Sequence, residues 1–163
     1  MDAERRRLAR QTQGVPAVSD QHIDPERAQF EAFKALPRDT VIQMLNLVRF
    51  KAAAEYPAGH PLDGKGLTGA EAYANYGKDS GPVFQRVGGS LLWTGTMEAM
   101  VIGPEGERWD AVFIAEYPNS GAFMEMVTDP VYREAVIHRQ AAVETSRLIR
   151  CAPKASRSET VFG

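Results

Sequence analysis

His138 and Arg139 stand side by side in an apolar helical pattern, the stretch DPVYREAVIHRQAAV at residues 129–143. An imidazole can exchange a proton near neutral pH, and a guanidinium can hold an anion. On an ideal helix, at about 100° per residue, Arg139 falls within the apolar arc and His138 at its edge. The pattern is typical of two situations. Either the pair serves a catalytic or binding site, or Arg139 forms a structural ion pair with Glu116 or Asp110.

Asn46 is a polar residue in a segment that is otherwise nearly all apolar. The run VIQMLNLVRF at residues 41–50 predicts a central strand with both faces covered. Asn46 shares one face with Met44, and Arg49 shares the other with Leu45. A buried amide can hydrogen-bond an oxyanion or an enolate oxygen, or it can satisfy a neighbouring backbone group. Both interpretations stay open from the sequence.

Four further residues are candidates for contacts with a ligand: Tyr76, Trp93, Glu116 and Arg49. Tyr76 and Trp93 would line an apolar pocket if a ligand exists, and otherwise belong to the core. Glu116 would have a raised pKa if it shared that pocket with another carboxylate. The alternative is that Glu116 is solvated or paired with an arginine.

Several classes of chemistry find no support in the sequence. The three histidines and the single cysteine, Cys151, lack the spacing of metal ligands. The glycine-rich pieces GPEGE and GKGLTG do not match phosphate-binding loops, and no serine-hydrolase motif occurs. We therefore predict neither a metal nor a cofactor. A net charge of -2 gives no electrostatic reason to expect nucleic acid or a membrane surface as a partner.

Composition indicates an ordinary globular protein. The chain has 163 residues, of which 44% are hydrophobic and 25% charged, enough for one domain with a real core. Its apolar runs are too short to span a bilayer. A single cysteine and no charged-then-apolar leader predict a cytoplasmic location.

The predicted elements follow the order strand, helix, strand, strand, helix, strand. This order predicts an α+β, ferredoxin-like βαββαβ fold, with a four-stranded antiparallel sheet and both helices on one face. The signals are the apolar run at 41–50, the capping box Thr68-Gly-Ala-Glu71, a strand at 90–102 with a turn at 103–107, an apolar strand at 108–118, a helix broken at Asp129-Pro130, and a last strand at 144–152.

The face of the sheet without helices is also apolar, so the sequence predicts that a second copy of the chain covers it. The result is a homodimer in which two sheets form an α+β barrel. Residues 1–38 are predicted to be an N-terminal arm and a helix capped by Asp24, residues 39–152 the domain, and residues 153–163 a tail.

Five motifs resemble, in order and spacing, those of the bacterial domain-of-unknown-function family 1330. They are MLNLVRFK, GAEAYANY, VGGSLLWTG, WDAVFIAEYPNSGAFMEM and DPVYREAVIHRQAAV. The resemblance implies the dimeric α+β-barrel superfamily, whose members include cofactor-free monooxygenases, isomerases, haem enzymes and stress-response proteins. The family itself implies a fold and no settled activity.

We expect a cofactor-free enzyme, isomerase-like or monooxygenase-like, acting on a small oxygenated metabolite. His138 would move the proton, while Arg139 and Asn46 would hold an anionic or enolic oxygen. The alternative is a protein that binds a small ligand without catalysis, or a dimeric interaction module. A cavity with convergent polar groups favours chemistry, and a filled core favours the module.

Overall fold

The computed structural model describes residues 21–154 as four helices and four strands. In chain order these are α1 (Arg27–Ala35), β1 (Ile42–Phe50), α2 (Gly69–Arg86), β2 (Ser90–Gly95), β3 (Ala111–Tyr117), α3 (Ser120–Thr128), α4 (Pro130–Ala142) and β4 (Val143–Cys151). Most of the predicted arm and tail lies outside the described residues. Within residues 21–154, none of the helices has the length and apolarity needed to cross a membrane.

The four strands form one antiparallel sheet in the order β2-β3-β1-β4. Strand β1 lies at the centre, where Met44 pairs with Ala115 of β3 and Val48 pairs with Ser146 of β4. Helices α2, α3 and α4 pack on one face of this sheet. The order of elements and strands is that of the ferredoxin-like βαββαβ fold, and the predicted α+β fold class is confirmed.

Strand β1 is nearly all apolar because both of its faces carry apolar side chains, one against the helices and the other on the opposite side of the sheet. Ile42, Met44 and Val48 are buried against the helices. Leu45 and Leu47 alternate with them and point to the opposite face of the sheet, where they remain half-buried. The same alternation gives β3 its apolar character.

Local capping chemistry sets the start of α2 and the break between α3 and α4 as the sequence predicts. Thr68 and Glu71 make both hydrogen bonds of a capping box at the start of α2. Asp129 ends α3 and begins α4, because its carboxylate accepts hydrogen bonds from the backbone N–H groups of Val131 and Tyr132. Pro130 then occupies the first turn, where no N–H donor is required.

Two predicted boundaries are wrong. Strand β2 ends at Gly95 instead of residue 102, because Gly95 pairs with Val112 and β3 offers almost no further partner beyond it. Helix α1 begins at Arg27, and Glu26 caps it in place of Asp24. The carboxylate of Asp24 instead accepts a hydrogen bond from the side chain of Gln140 on α4, at 3.0 Å.

Gly69 places the first turn of α2 against the main chain of two other segments. A Cβ at this position would overlap the carbonyl oxygen of Lys51 and lie 2.8 Å from that of Ala142. Backbone atoms cannot rotate away, so we expect Gly69→Ala to lower the free energy of unfolding in urea by about 1–3 kcal/mol.

Gly77→Ala, in the same helix, is the matched control for this prediction. Nothing lies within 4 Å of its added Cβ. The substitution should therefore raise the free energy of unfolding by about 0.5–1 kcal/mol, the usual gain when alanine replaces glycine in a helix. Equal changes in the two variants would contradict the close packing at Gly69.

Candidate functional site

A large cavity, partly open to solvent, lies between the sheet and the helices. Its volume is about 1840 Å³. The sheet contributes one wall and α2, α3 and α4 the other, while residues from the segment before α1 and from α1 itself line one side. The lining is mainly aromatic and aliphatic, with a few polar groups that converge on it, as in ligand pockets.

Tyr76 on α2 and Tyr132 on α4 form a pair of hydroxyl groups in the helical wall. Their oxygen atoms are 3.0 Å apart. One hydroxyl donates to the other, so the pair retains one hydrogen that it does not use itself. Burial raises the pKa of Tyr132 far above its ordinary value of 10.0, and its hydroxyl therefore stays protonated at neutral pH. The pair can donate a hydrogen bond to an oxygen atom of a ligand.

Two more tyrosines line the cavity. Burial also raises the pKa of Tyr73 and of Tyr117 above 10.0. The hydroxyl of Tyr117 lies 3.7 Å from the sulfur of Met126, a weak acceptor. The wall of the cavity therefore presents neutral phenol groups.

Arg139 extends from α4 to β4 and to the segment before α1. Its side chain is only 15% exposed. The guanidinium donates to the hydroxyl of Ser146, at 3.0 Å, and to the carbonyl oxygen of Ile23. The carboxylate of Asp24 lies 3.8 Å away. The expected ion pair with Glu116 or Asp110 is not formed, because the N-terminal segment supplies the partners.

Asn46 lies in the sheet wall of the cavity, as predicted for a site residue. Its side-chain amide donates to the carbonyl oxygen of Met44 in the same strand, at 2.9 Å. This bond satisfies a neighbouring backbone group, which is the second of the two roles that the sequence left open. Among residues 21–154, the side-chain oxygen of Asn46 has no hydrogen-bond partner.

His138 lies on the other side of α4, away from this cavity. Its Nδ1 is 2.8 Å from the hydroxyl of Tyr56, and its Nε2 is 3.2 Å from the carboxylate of Asp79. The ring of His60 stacks on Tyr56, and a separate cleft of about 370 Å³ lies beside the two histidines. Successive helical residues point about 100° apart, so the structure separates His138 from Arg139 and does not bring it to Asn46.

Three of the four predicted ligand contacts lie on the opposite face of the sheet. Glu116 accepts a hydrogen bond from Gln43, at 2.9 Å. Arg49 pairs with Glu144, also at 2.9 Å. Trp93 is 52% exposed. Alternation along the strands places these side chains away from Asn46, and of the four candidates only Tyr76 lines the cavity.

Tyr132 and Ser146 are cavity residues that the sequence interpretation missed as site residues. Tyr132 precedes Arg139 by two helical turns and shares its face, which is a signal that periodicity could have supplied. Ser146 had no such signal, because its contact with Arg139 depends on how β4 follows α4. No group of three His, Cys, Asp or Glu side chains in the described part of the chain could hold a metal ion.

The buried tyrosines should make the free energy of unfolding fall at alkaline pH. The pKa values of Tyr73, Tyr117 and Tyr132 are raised in the folded state, so the unfolded chain releases these protons first. The stabilisation is complete below pH 10 and is lost as pH rises towards the folded-state pKa values. Above pH 10, each tyrosine should lower the free energy of unfolding by up to about 1.4 kcal/mol per pH unit.

Urea denaturation at pH values between about 9 and 12 tests this dependence. With Tyr132→Phe, the free energy of unfolding should decline less steeply as pH rises. Phe113→Leu, which changes a cavity aromatic without a hydroxyl, should leave the slope as it is. A slope that Tyr132→Phe does not alter would contradict the burial of its hydroxyl.

The comparisons with known proteins agree with this architecture. Residues 66–150 match the family described as Domain of unknown function (DUF1330). The crystal structure of methylated RPA0582 protein is 56% identical and covers 86% of this chain and 99% of its own, with a TM-score of 0.79. A second structure of RPA0582, a protein of unknown function from Rhodopseudomonas palustris, is 57% identical. It covers 83% of this chain and 99% of its own, with a TM-score of 0.76.

More distant likenesses are too weak to carry an argument about activity. SnoaB, a cofactor-independent oxygenase from Streptomyces nogalater, is 14% identical and covers 74% of this chain and 99% of its own, with a TM-score of 0.47. None of the curated proteins matches the chain. The family match and the identity to RPA0582 together show that this chain belongs to the DUF1330 family.

Proposed function

We propose that this protein binds a small molecule with a flat apolar body and an anionic or enolic oxygen, in the cavity between sheet and helices. The observation that carries the proposal is the Tyr76–Tyr132 hydroxyl pair, whose oxygens are 3.0 Å apart. It supplies a neutral donor with an unshared hydrogen in a wall that is mainly apolar. A buried donor of this kind gains most from an oxygen acceptor that excludes water.

The apolar body is favoured by the aromatic side chains around the cavity. Phe84 and Phe123 both contact the ring of Tyr117 edge to face, with centroids 5.4 Å apart in each case. Phe113 extends the same lining from the sheet. Aromatic edges and faces recognise flat ring systems better than flexible chains.

The negative oxygen is favoured by two arginines that line the cavity. Arg150 donates to two backbone carbonyl oxygens, and Arg139 to a carbonyl and a hydroxyl. Hydrogen bonds to neutral acceptors leave the positive charge of a guanidinium uncompensated. Of the two, only Arg139 has a carboxylate within 4 Å, that of Asp24. The chain carries a net charge of -2, so the positive lining is a local feature that attracts anions.

A cofactor-free isomerase-like or monooxygenase-like reaction is the second candidate. The observation that favours it is that Asn46 and the tyrosine pair line one cavity, where both can stabilise an enolate oxygen. The proton shuttle expected at His138 lies on the other side of α4. This candidate therefore fits best a substrate that ionises readily, so that the protein has only to stabilise the resulting oxyanion.

Binding of 6-hydroxy-2-naphthoate and of the cation of 6-(aminomethyl)-2-naphthol, which share one flat body and its hydroxyl group, tests the proposed ligand class by calorimetry. We expect the anion to bind and the cation not to bind. Tyr76→Phe combined with Tyr132→Phe should weaken 6-hydroxy-2-naphthoate binding about tenfold, the effect of losing one buried hydrogen bond.

Tyr56→Phe is the matched control, because it removes a bonded hydroxyl outside the cavity. It should leave the affinity unchanged. Equal binding of the two probes, or equal losses in the control and the double variant, would count against the proposal. If no member of a wider set of aromatic acids and phenols bound, the proposal would fail.

The partner favoured by the other face of the sheet is a second copy of the chain. Leu45, Leu47, Val112 and Ile114 lie on this face. Trp93 and Ile149 add exposed apolar area to it. A two-fold contact between two such sheets would bury this surface and complete an α+β barrel.

Adjacent residues of β4 provide a matched test of the dimer. Ile149 pairs with Leu45 on the open face and is 46% exposed, whereas Leu148 pairs with Asn46 on the helical face and is 42% exposed. By light scattering, we expect the wild type to have twice the 17.9 kDa of one chain. Ile149→Asp should lower that mass to a monomer's and Leu148→Asp should not. A monomeric wild type would refute the dimer.

A further inference from the structure

We infer that the strap, residues 22–24, is an internal pseudo-ligand that occupies the oxygen-binding groups of Arg139 and Ser146, and that the carboxylate of a cavity ligand replaces it. The inference rests on the proposed function, because it requires a ligand in the cavity. It adds a carboxylate, separate from the oxygen that meets the tyrosine pair, as the ligand's anchoring group, and a competition between that group and a segment of the same chain.

The strap presents three oxygen groups to one small set of donors. The carbonyl oxygen of His22 accepts from the backbone N–H of Ser146, at 2.7 Å, and from its hydroxyl, at 2.8 Å. The carbonyl oxygen of Ile23 accepts from the guanidinium of Arg139. The carboxylate of Asp24 lies 3.8 Å from the same guanidinium. A ligand acid would offer its two oxygens to the same groups.

A carboxylate suits this set better than the strap does. Arg139 currently bonds a neutral carbonyl and a hydroxyl, and its nearest carboxylate, on Asp24, is too distant for a hydrogen bond. A planar guanidinium matches a carboxylate with two parallel hydrogen bonds, each about twice as strong as a neutral one. The hydroxyl of Ser146, freed from His22, can donate to the ligand as well.

The strap is held by hydrogen bonds more than by packing, and two of these bonds, from the backbone N–H of His22 to the hydroxyl of Thr145 and from Gln140 to Asp24, do not involve Arg139 or Ser146. It belongs to no helix or strand, and α1, which follows it, has no buried residue. The side chain of Asp24 is 50% exposed. The side chain of Ile23 supplies the strap's apolar contact, at the edge of the second core cluster. Segments with few buried contacts open at low free-energy cost, so exchange of the strap for a ligand needs no unfolding of the sheet.

Hydrogen exchange with 6-hydroxy-2-naphthoate distinguishes a displaced strap from a fixed one. Ligands normally slow exchange throughout a protein. If the strap is displaced, deuterium uptake should rise in residues 21–26 and at the amide of Ser146, which loses its acceptor on His22, while it falls in α2 and α4. Slower exchange of the strap together with the rest of the domain would overturn the inference and leave the proposed function intact.

Affinity provides the second readout. Ile23→Ala combined with Asp24→Ala should bind 6-hydroxy-2-naphthoate about five- to tenfold more tightly than the wild type, because the competing closed state is less populated. Asp24→Asn, which preserves the shape of the strap, should give a smaller gain in the same direction. Glu31→Ala, on exposed α1, removes one negative charge without touching the strap and should change the affinity little.

Each outcome of this comparison is decisive. Tighter binding by the strap variants, or binding by these variants alone, supports the inference. Unchanged affinity in both strap variants overturns it while wild-type binding still supports the proposed function. If neither the wild type nor the strap variants bound 6-hydroxy-2-naphthoate, the inference would fail together with the proposed carboxylate ligand.

Discussion

The guanidinium of Arg139 joins three parts of the molecule that the chain separates widely. It lies on α4, bonds Ser146 on β4, and bonds Ile23 before α1, which is 116 positions away. A charge placed between a helix and a sheet must keep such partners, because losing them would leave it desolvated and unpaired. Around this charge, apolar and aromatic side chains of the two layers pack together, among them Met44, Tyr117 and Phe123.

The cavity follows from the same arrangement. Tyr76 and Tyr132 bond each other in the helical wall, and Asn46 faces them from the sheet side with its amide tied to its own strand. The long loop at residues 51–67 takes no part in the lining. Its buried Tyr56 bonds His138, whose other ring nitrogen lies 3.2 Å from Asp79, so this histidine fastens the loop to α2 and α4. The polar groups on the two sides of α4 thus have separate tasks.

Local signals predicted the fold because each acts over a few residues. The capping box at Thr68 and the break at Asp129-Pro130 depend on hydrogen bonds between near neighbours, and the two-sided apolar pattern of β1 identifies the centre of the sheet. The family resemblance is confirmed, and the family match extends over residues 66–150, which include α2, α3 and α4. The candidate site was harder to predict, because its membership depends on which face each side chain occupies.

Two placements show why the site could not be assembled from the sequence, and a third could have been predicted. The register of β2 shifts between Leu91 and Trp93, and this irregularity places Trp93 opposite Ile114, on the face away from the cavity. The position of Glu116 depends on its pairing with Gln43, which only the sheet register defines. For Arg49, simple alternation already separates it from Asn46, so this side chain could have been excluded in advance.

A crystal structure of the protein with bound 6-hydroxy-2-naphthoate would be the most direct test of the binding site. We expect the ring system between the aromatic lining and the helices, with its hydroxyl oxygen at hydrogen-bond distance, about 3 Å, from the hydroxyl of Tyr76 or Tyr132. Naphthoate bound instead beside His60 and His138, or on the open face of the sheet with the tyrosine pair untouched, would contradict it.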